Sequence, residues 1–336
     1  MGKIYTALGL MSGTSGDGVD ASLISSDGID QYSEITNRYF KYDQKIYENL
    51  HNLRAKILKF EDLQNNLKEI NKLEKEITIF HSKVANKVLE TIDKKVDFIG
   101  FHGQTIYHNS LEKKSEQIGD GNLLSQLTKK NVIYDFRQND IRKGGEGAPL
   151  APIFHKLIVK QNKIELPVCI LNIGGIANAT VIDEYDKNSF LSRDLGPGNC
   201  LIDEWIRMNT KGKFDLNGEI AKKGNINDLI LNQALDNFDN KPNQNTLSFD
   251  IKDFSLGFVR GLNLEDGAAT LTDFTGRVIG AGLFSFFSKS REKLRKILIC
   301  GGGRKNNTLI ERIKNSTQKN IVIQPIDDYD IDGDYV

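Results

Sequence analysis

The stretch GLMSGTSGDGVDASL, residues 9–23, sets Gly13, Gly16 and Gly18 among Ser12, Thr14 and Ser15, between apolar residues. Residues 4–10 ahead of the loop read as a strand. VDASLISS (19–26) alternates like a second strand and ITNRYFKY (35–42) like a third. A strand–turn–strand opening differs from the strand–turn–helix of a Walker A motif, whose lysine is also absent here, and from a dinucleotide fingerprint. Glycines let backbone N–H groups converge on an anion because no Cβ blocks the approach. Ser12, Thr14 and Ser15 add hydroxyl donors, and Asp17 and Asp20 are of the type that holds a hydrated Mg²⁺. A plain hairpin needs only one or two Gly or Asn residues. By itself the stretch leaves both readings open, a turn and an anion cradle.

Working outward, residues 43–95 become helical in pattern. Ile70, Leu73, Ile77, Phe80, Val84 and Val88 recur at spacings of three and four, one apolar stripe with a charged face opposite. VDFIGFHGQTIYH (96–108) reads as a buried strand ending in a polar turn, and NVIYDF (131–136) as another. A second series begins near residue 168. VCILNIGG (168–175) is a strand entering a glycine turn, and NATVIDEY (178–185) is its hairpin partner. FLSRDLGPGN (190–199) is a third segment, and CLIDEWIRMN (200–209) looks helical. Residues 211–256 hold few long apolar runs and several turn signals. A long helix is expected over 268–289, then strand, glycine turn and helix in KILICGGGRKNNTLIERIK (296–314), and a last strand in NIVIQPI (320–326). The same opening thus occurs twice as a pattern, without a letter-by-letter repeat.

Three later glycine turns carry the chemistry. In LNIGGIANAT (171–180), Gly174 and Gly175 fit either a tight hairpin or a phosphate turn. In DLGPGN (194–199), Asp194 ends an apolar run beside exposing glycines; it suits a general base, or an ordinary turn aspartate. In CGGGRKNN (300–307), Gly301, Gly302 and Gly303 between a strand and a helix let a flat ligand or a phosphate approach the backbone.

Composition narrows the class. The 336 residues are 39% hydrophobic and 27% charged, with zero formal net charge. This fits an ordinary two-lobed soluble protein and gives no reason to expect nucleic acid or an anionic membrane as partner. Cys169, Cys200 and Cys300 are too few and too scattered for a disulfide framework or a zinc site, and each reads as a small buried hydrophobe. No apolar run reaches the ~20 residues of a membrane span, and the N-terminus lacks the pattern of a signal peptide. The expected compartment is the cytoplasm.

Four glycine turns in this order resemble the actin, hexokinase and heat-shock ATPase superfamily. Within it, GLMSGTSGDGVDASL, GFHGQTIYH (100–108), YDFRQNDIRKGGEGAPLAP (134–152), LNIGGIANAT, DLGPGN and CGGGRKNN together resemble the anhydro-N-acetylmuramic acid kinases, over nearly the whole chain. The 134–152 block is the most family-specific. Met11, where many superfamily members place a metal-associated aspartate, is shared with the anhydro-sugar kinases.

The resemblance implies an α/β, two-lobed actin-like ATPase fold, each lobe a mixed sheet opening with a β-meander and flanked by helices. Residues 1–150 would form the first lobe and 151–336 the second. It implies a phosphotransferase with an alcohol acceptor, acting in peptidoglycan recycling. ATP and water convert 1,6-anhydro-N-acetylmuramic acid to N-acetylmuramic acid 6-phosphate and ADP. Carried over by motif, Asp194 is the catalytic base. Gly13, Thr14, Ser15, Gly16, Asp17, Gly18, Val19 and Asp20 wrap the ATP phosphates, Gly174 and Gly175 complete the grip, and Gly301–Gly303 face the nucleoside. Asp17 would hold Mg²⁺ through water. Asp135, Arg137 and Asp140 are expected at the substrate site, with Arg137 holding the lactyl carboxylate; a structural pair of Arg137 with Asp135 or Asp140 is the alternative. His102 and Gln104 are expected to bond sugar hydroxyls, with a satisfied core histidine as the alternative for His102. A homodimer is the family tendency.

Two segments depart from the family pattern. LSFDIKDF (247–254) has Leu247 where a lysine is common. IDGDYV (331–336) includes Asp334 but ends before the family's next glutamate, a substrate-site residue, and its closing helix. The competing expectations are therefore a member that binds nucleotide or sugar without turnover, and another sugar kinase of the superfamily.

Overall fold

The computed structural model describes residues 3–13, 15–109, 111–185, 190–239, 248–287 and 296–336. Thr14 and Leu247 lie outside the described residues, as does the end of the long helix expected to reach residue 289. The chain divides into two compact units, Met1–Ala148 and Pro149–Asp334.

The first unit contains β1 (Tyr5–Ser12), β2 (Gly18–Ser26), β3 (Tyr32–Lys41), α1 (Gln44–Lys56), α2 (Asp62–Asn65), α3 (Leu67–Leu89), β4 (Phe98–Asn109), β5 (Lys114–Ile118), α4 (Gly121–Thr128), β6 (Asn131–Tyr134) and α5 (Gln138–Arg142). The sheet runs β3-β2-β1-β4-β5, and β6 also pairs with β4. The first three strands are an antiparallel meander, while β4 lies parallel to β1 and to β6. The long β4 meets β6 along Phe98–Phe101 and the antiparallel β5 along Gln104–Asn109. Alternation in β1 buries Thr6, Leu8, Leu10 and Ser12 and leaves Tyr5 and Met11 exposed. The buried face of the meander packs with Leu50 and Leu53 of α1 and Ile77, Val84 and Val88 of α3 in one core. Each such side chain contributes about 1.5–3 kcal/mol by leaving water.

The second unit contains α6 (Pro152–Gln161), β7 (Val168–Ile173), β8 (Ile176–Ile182), β9 (Phe190–Pro197), α7 (Cys200–Asn209), α8 (Asp228–Asp239), α9 (Leu264–Phe287), β10 (Lys296–Cys300), α10 (Asn307–Ser316) and β11 (Val322–Pro325). Its sheet runs β11-β10-β7-β8-β9. Again the first three strands are antiparallel neighbours, and β10 and β11 continue parallel to β7. The α/β class is as expected: each unit is a mixed sheet opening with a β-meander and flanked by helices. In α9, Gly276 and Gly280 admit α10, because a Cβ there would sit 2.5 Å from Cβ of Arg312 and of Ser316 respectively. Among the described residues no helix is long and apolar enough to cross a membrane.

Some expectations need correction. The helical stretch 43–95 is three helices, because the chain leaves helical geometry at Ile57 and Asp62 then accepts from the Leu58 and Lys59 amides. The polar strand β5 was not anticipated; its pairing comes from the β4 hairpin and not from its own residues. Helix α8 lies within the segment expected to be mostly turns; it buries Leu231, Ala234 and Phe238. Cys169 and Cys300 are buried and Cys200 half-buried, all as free thiols.

Candidate functional site

In the first unit the β1–β2 turn is held from several sides. Gly16 N–H donates to Gly13 O at 3.1 Å, and Tyr42 N–H, past the end of β3, donates to Asp17 O at 2.9 Å. Nε2 of His51 on α1 lies 3.1 Å from Ser15 O. Ser12 Oγ lies 2.8 Å from Gly18 O and 2.6 Å from Gln104 Oε1, while Gln104 Nε2 donates to Gly13 O at 3.1 Å. Two glycines are required sterically. Gly16 has φ +60°, with Leu50 Cδ2 2.7 Å from where a Cβ would stand, and at Gly18 a Cβ would meet Phe40 O at 2.5 Å. Ser15 Oγ donates to Asp17 Oδ1 at 2.6 Å. Burial, with the Asp17 charge beside it, pushes the Tyr39 phenol well above its ordinary value. Val19, named for this loop from the sequence, is fully buried in the core.

The 134–152 block folds as α5 and a loop. Arg137 Nη1 donates to Gly147 O at 2.6 Å, and Gly147 N–H donates to Asp140 Oδ2 at 2.8 Å. The two side chains therefore grip Gly147, at φ +73°, from its carbonyl and its amide. Arg137 also donates to Nε2 of His102, from Nε at 3.2 Å and Nη2 at 2.9 Å. Nδ1 of His102 lies 2.9 Å from Gly103 O, so that nitrogen carries the proton. Burial first, then the Arg137 charge, lowers the His102 pKa to about 4. Asp135 is exposed, at φ +62°. Gln104 is fully buried, with its amide engaged by Ser12 and Gly13. Its amide is thus turned toward the β1–β2 turn.

In the second unit the second and third glycine turns form one structure. Gly198 N–H donates to Gly175 O at 2.9 Å, Asn199 N–H to Gly174 O at 2.8 Å and Cys200 N–H to Gly175 O at 3.2 Å. A Cβ on Gly198 would stand 2.3 Å from Gly174 O. The amides of Gly198, Asn199 and Cys200, leading into α7, thus rest on the turn between β7 and β8. Asp194 lies opposite Asn178 in the β8–β9 ladder, next to a register shift between Ala177 and Asn178. Such a bulge re-aims a side chain relative to the regular pleat. Asp194 is 8% exposed and its Oδ2 accepts from Phe249 N–H at 2.8 Å.

The fourth turn follows β10. Gly301, at φ +77°, would place a Cβ 2.3 Å from Asn172 Oδ1, and Gly303 one 2.3 Å from Cγ2 of Ile173; Gly302 faces open space. Gly301 N–H donates to Gly333 O at 2.7 Å. Arg304, next in sequence, pairs with Asp327 at 2.8 Å, Asp332 at 3.6 Å and Asp334 at 2.5 Å. Sequence reasoning did not single out Arg304; a lone arginine after a glycine turn gives no local sign of partners more than twenty residues on. Among the described residues no group of three or more His, Cys, Asp or Glu side chains is arranged to ligate a metal.

The family model described as anhydro-N-acetylmuramic acid kinase matches residues 5–336. A relative from Pelagibacter ubique with that name is 55% identical over 336 residues, covering 100% of this chain and 90% of its own. One from Zymomonas mobilis, of the same name, is 37% identical over 337 residues, covering 98% and 88%. Among solved structures, hexokinase from Schistosoma mansoni complexed with glucose aligns with a TM-score of 0.41 at 9% identity, covering 96% of this chain and 82% of that one.

Proposed function

This chain belongs to the anhydro-N-acetylmuramic acid kinase family, and from that premise we propose that Asp194 is the base of a coupled hydrolysis and phosphoryl transfer. The protein is an ATP-using kinase; the names of its relatives favour this over a binding-only member. Its acceptor is 1,6-anhydro-N-acetylmuramic acid. Asp194 takes a proton from water as that water attacks the anomeric carbon. The bond from that carbon to the bridging O6 breaks, and O6 receives the γ-phosphoryl group. The products are N-acetylmuramic acid 6-phosphate and ADP. Carboxylates perform the same task at acetal carbons in glycoside hydrolysis.

The observation that carries this reading is the setting of Asp194. A bulge aims it, burial dries it, and the Phe249 amide fixes one oxygen. A carboxylate oriented by a backbone donor keeps its direction for proton transfer. In the first unit, Gly13, Ser15, Gly16, Asp17 and Gly18 form a phosphate-binding turn; in the second, Gly174 and Gly175 form another, and the turn Gly301–Gly303 faces the nucleoside. Asp17 suits Mg²⁺ held through water: Mg²⁺ keeps most of its waters and takes one or two carboxylates plus phosphate oxygens. Such an ion supplies charge neutralisation for phosphoryl transfer. Arg137, held in place by Gly147, binds the lactyl carboxylate. The cytoplasm, where ATP is abundant, and a homodimer complete the reading.

The test is product analysis in ¹⁸O-labelled water. The reading requires one label at the anomeric oxygen and none in the phosphate. Asp194→Asn should lower kcat by several powers of ten while ADP binding persists. Near-normal sugar phosphorylation by that variant, or label-free product, overturns the mechanism.

A further inference from the structure

We propose that Gln104 is a positioning residue that presets the β1–β2 turn for its anion, and not a ligand of the sugar; this rests on the phosphate-binding reading of that turn. Ser12 continues the buried alternation of β1, on the side of Leu8 and Leu10. The parallel β1–β4 ladder shifts register between Leu10 and Ser12 and so brings Ser12 opposite Gln104. Gly103, at φ +72°, precedes Gln104, and a Cβ there would stand 2.7 Å from Ile118 O. A glycine is therefore built into the bend that places the glutamine.

The Gln104 amide braces the outgoing limb of the turn and shares the Ser12 hydroxyl with the returning limb. Its Nε2 donates to the Gly13 carbonyl on the outgoing limb at 3.1 Å. Its Oε1 lies 2.6 Å from Ser12 Oγ, which lies 2.8 Å from the Gly18 carbonyl on the returning limb. Ser12 has one proton to give, so it serves these two acceptors in alternation. Gln104 is 0% exposed and Ser12 1%, so a sugar arriving from solvent has no polar atom of either to touch. A carbonyl bonded to a fully buried amide is turned inward. In a turn that binds phosphate through N–H groups and hydroxyls, an outward carbonyl would place negative partial charge against the ligand. Gln104, with the Gly16 N–H that donates to the same oxygen at 3.1 Å, removes that acceptor from the binding face before any nucleotide arrives.

The test compares ADP affinity by calorimetry without sugar, and KM for each substrate, in the intact protein. Gln104→Met keeps the volume and removes both bonds. It should weaken ADP at least tenfold and raise the KM for ATP similarly, with the KM for sugar within twofold of wild type. Ser12→Ala, a smaller change that removes only the hydroxyl, should move the same constants in the same direction. Gly13→Ala is sterically mild, since its Cβ would meet nothing nearer than Ser15 Oγ at 4.0 Å. It probes the turn itself and should also weaken ADP. If Gly13→Ala weakens ADP and Gln104→Met and Ser12→Ala do not, the positioning role is wrong. If none of the three alters ADP binding, the phosphate reading of the turn fails and the proposal falls with it. A rise confined to the sugar KM in Gln104→Met returns Gln104 to the sugar site and overturns the proposal directly.

Discussion

Arg137 donates through two of its nitrogens, Nε at 3.2 Å and Nη2 at 2.9 Å, to the single atom Nε2 of His102. A neutral imidazole with its proton on Nδ1 is the form that accepts there. A protonated ring would lose the acceptor and face a guanidinium. Two side chains separated by 35 residues therefore set each other's state: His102 holds the fork of Arg137, and Arg137 helps to keep His102 neutral.

From this pair, Arg137→Lys should raise the KM for the anhydro-sugar about tenfold or more and leave the KM for ATP within twofold. Lysine keeps the charge but lacks the planar fork that meets His102, Gly147 and a carboxylate together. Losing one charge-assisted hydrogen bond costs about 1.5 kcal/mol or more, which is roughly tenfold. Steady-state kinetics with each substrate varied in turn checks this; an unchanged sugar KM removes Arg137 from the substrate site.

Stability should fall with acid well above the range where carboxylates titrate. Burial lowers His81, His102 and His155 each to about 4, from an ordinary 6.5. Above 6.5 neither state binds these protons, and no penalty applies. As pH falls from 6.5 toward 4 the unfolded chain takes up protons that the native rings refuse, so unfolding becomes easier. Near pH 5, urea unfolding should show uptake of close to three protons from these groups. The slope of unfolding free energy against pH measures it, and a flat slope between pH 6.5 and 4.5 contradicts the buried neutral rings.

The glycine turn after β10 separates sterics from ligand binding. A methyl at Gly302 meets nothing within 4 Å, whereas one at Gly303 meets the Ile173 side chain at 2.3 Å. Gly302→Ala should leave Tm within a degree or two and raise the KM for ATP severalfold, if the nucleoside lies there. Gly303→Ala should lower stability by about 1–3 kcal/mol, the ordinary cost of overpacking. Thermal melts and ATP kinetics on both variants decide it, and an unchanged ATP KM in Gly302→Ala moves the nucleoside elsewhere.

The Arg304 cluster should behave as a salt-sensitive clasp on the segment after β11. Arg304 is nearly buried, and hydrogen bonds from it hold the Asp327 carboxyl below its usual range. Burial acts to raise Asp334, but bonds from Arg304 and Lys305 hold it below its usual value too. Because the aspartates are 37–47% exposed, Arg304→Ala should cost only about 1–3 kcal/mol, less than a fully buried pair. The cluster's contribution is present above the ordinary carboxylate pKa of 3.8 and is lost as pH falls through the lowered native values. Urea titrations at neutral pH and near pH 3 test both statements, and an Arg304→Ala variant as stable as wild type rejects the clasp.

Much of the architecture was legible in local pattern. Helix α7 occupies the stretch CLIDEWIRMN that looked helical, and the 70–88 stripe is the buried side of α3, with only Phe80 half-exposed. The strand–turn–strand opening recurs where the glycine turns indicated, because alternation and turn chemistry act over a few residues. The polar β5 and the short α5 were not legible, since each is held by what it packs against.

The sequence by itself determined the family and the order of the four glycine turns. It also set the residue types available for phosphate, base and carboxylate recognition. Only the tertiary structure decided which of those side chains are buried and what holds them. Gln104 is buried against Ser12, 92 positions away, and Asp194 accepts from the Phe249 amide, 55 positions away. The reason is register. A side chain's face follows from which residue it pairs with across a ladder, and a one-residue shift such as those beside Ser12 and Asn178 reverses it. Those shifts arise from long-range packing, which no local spacing of residues records.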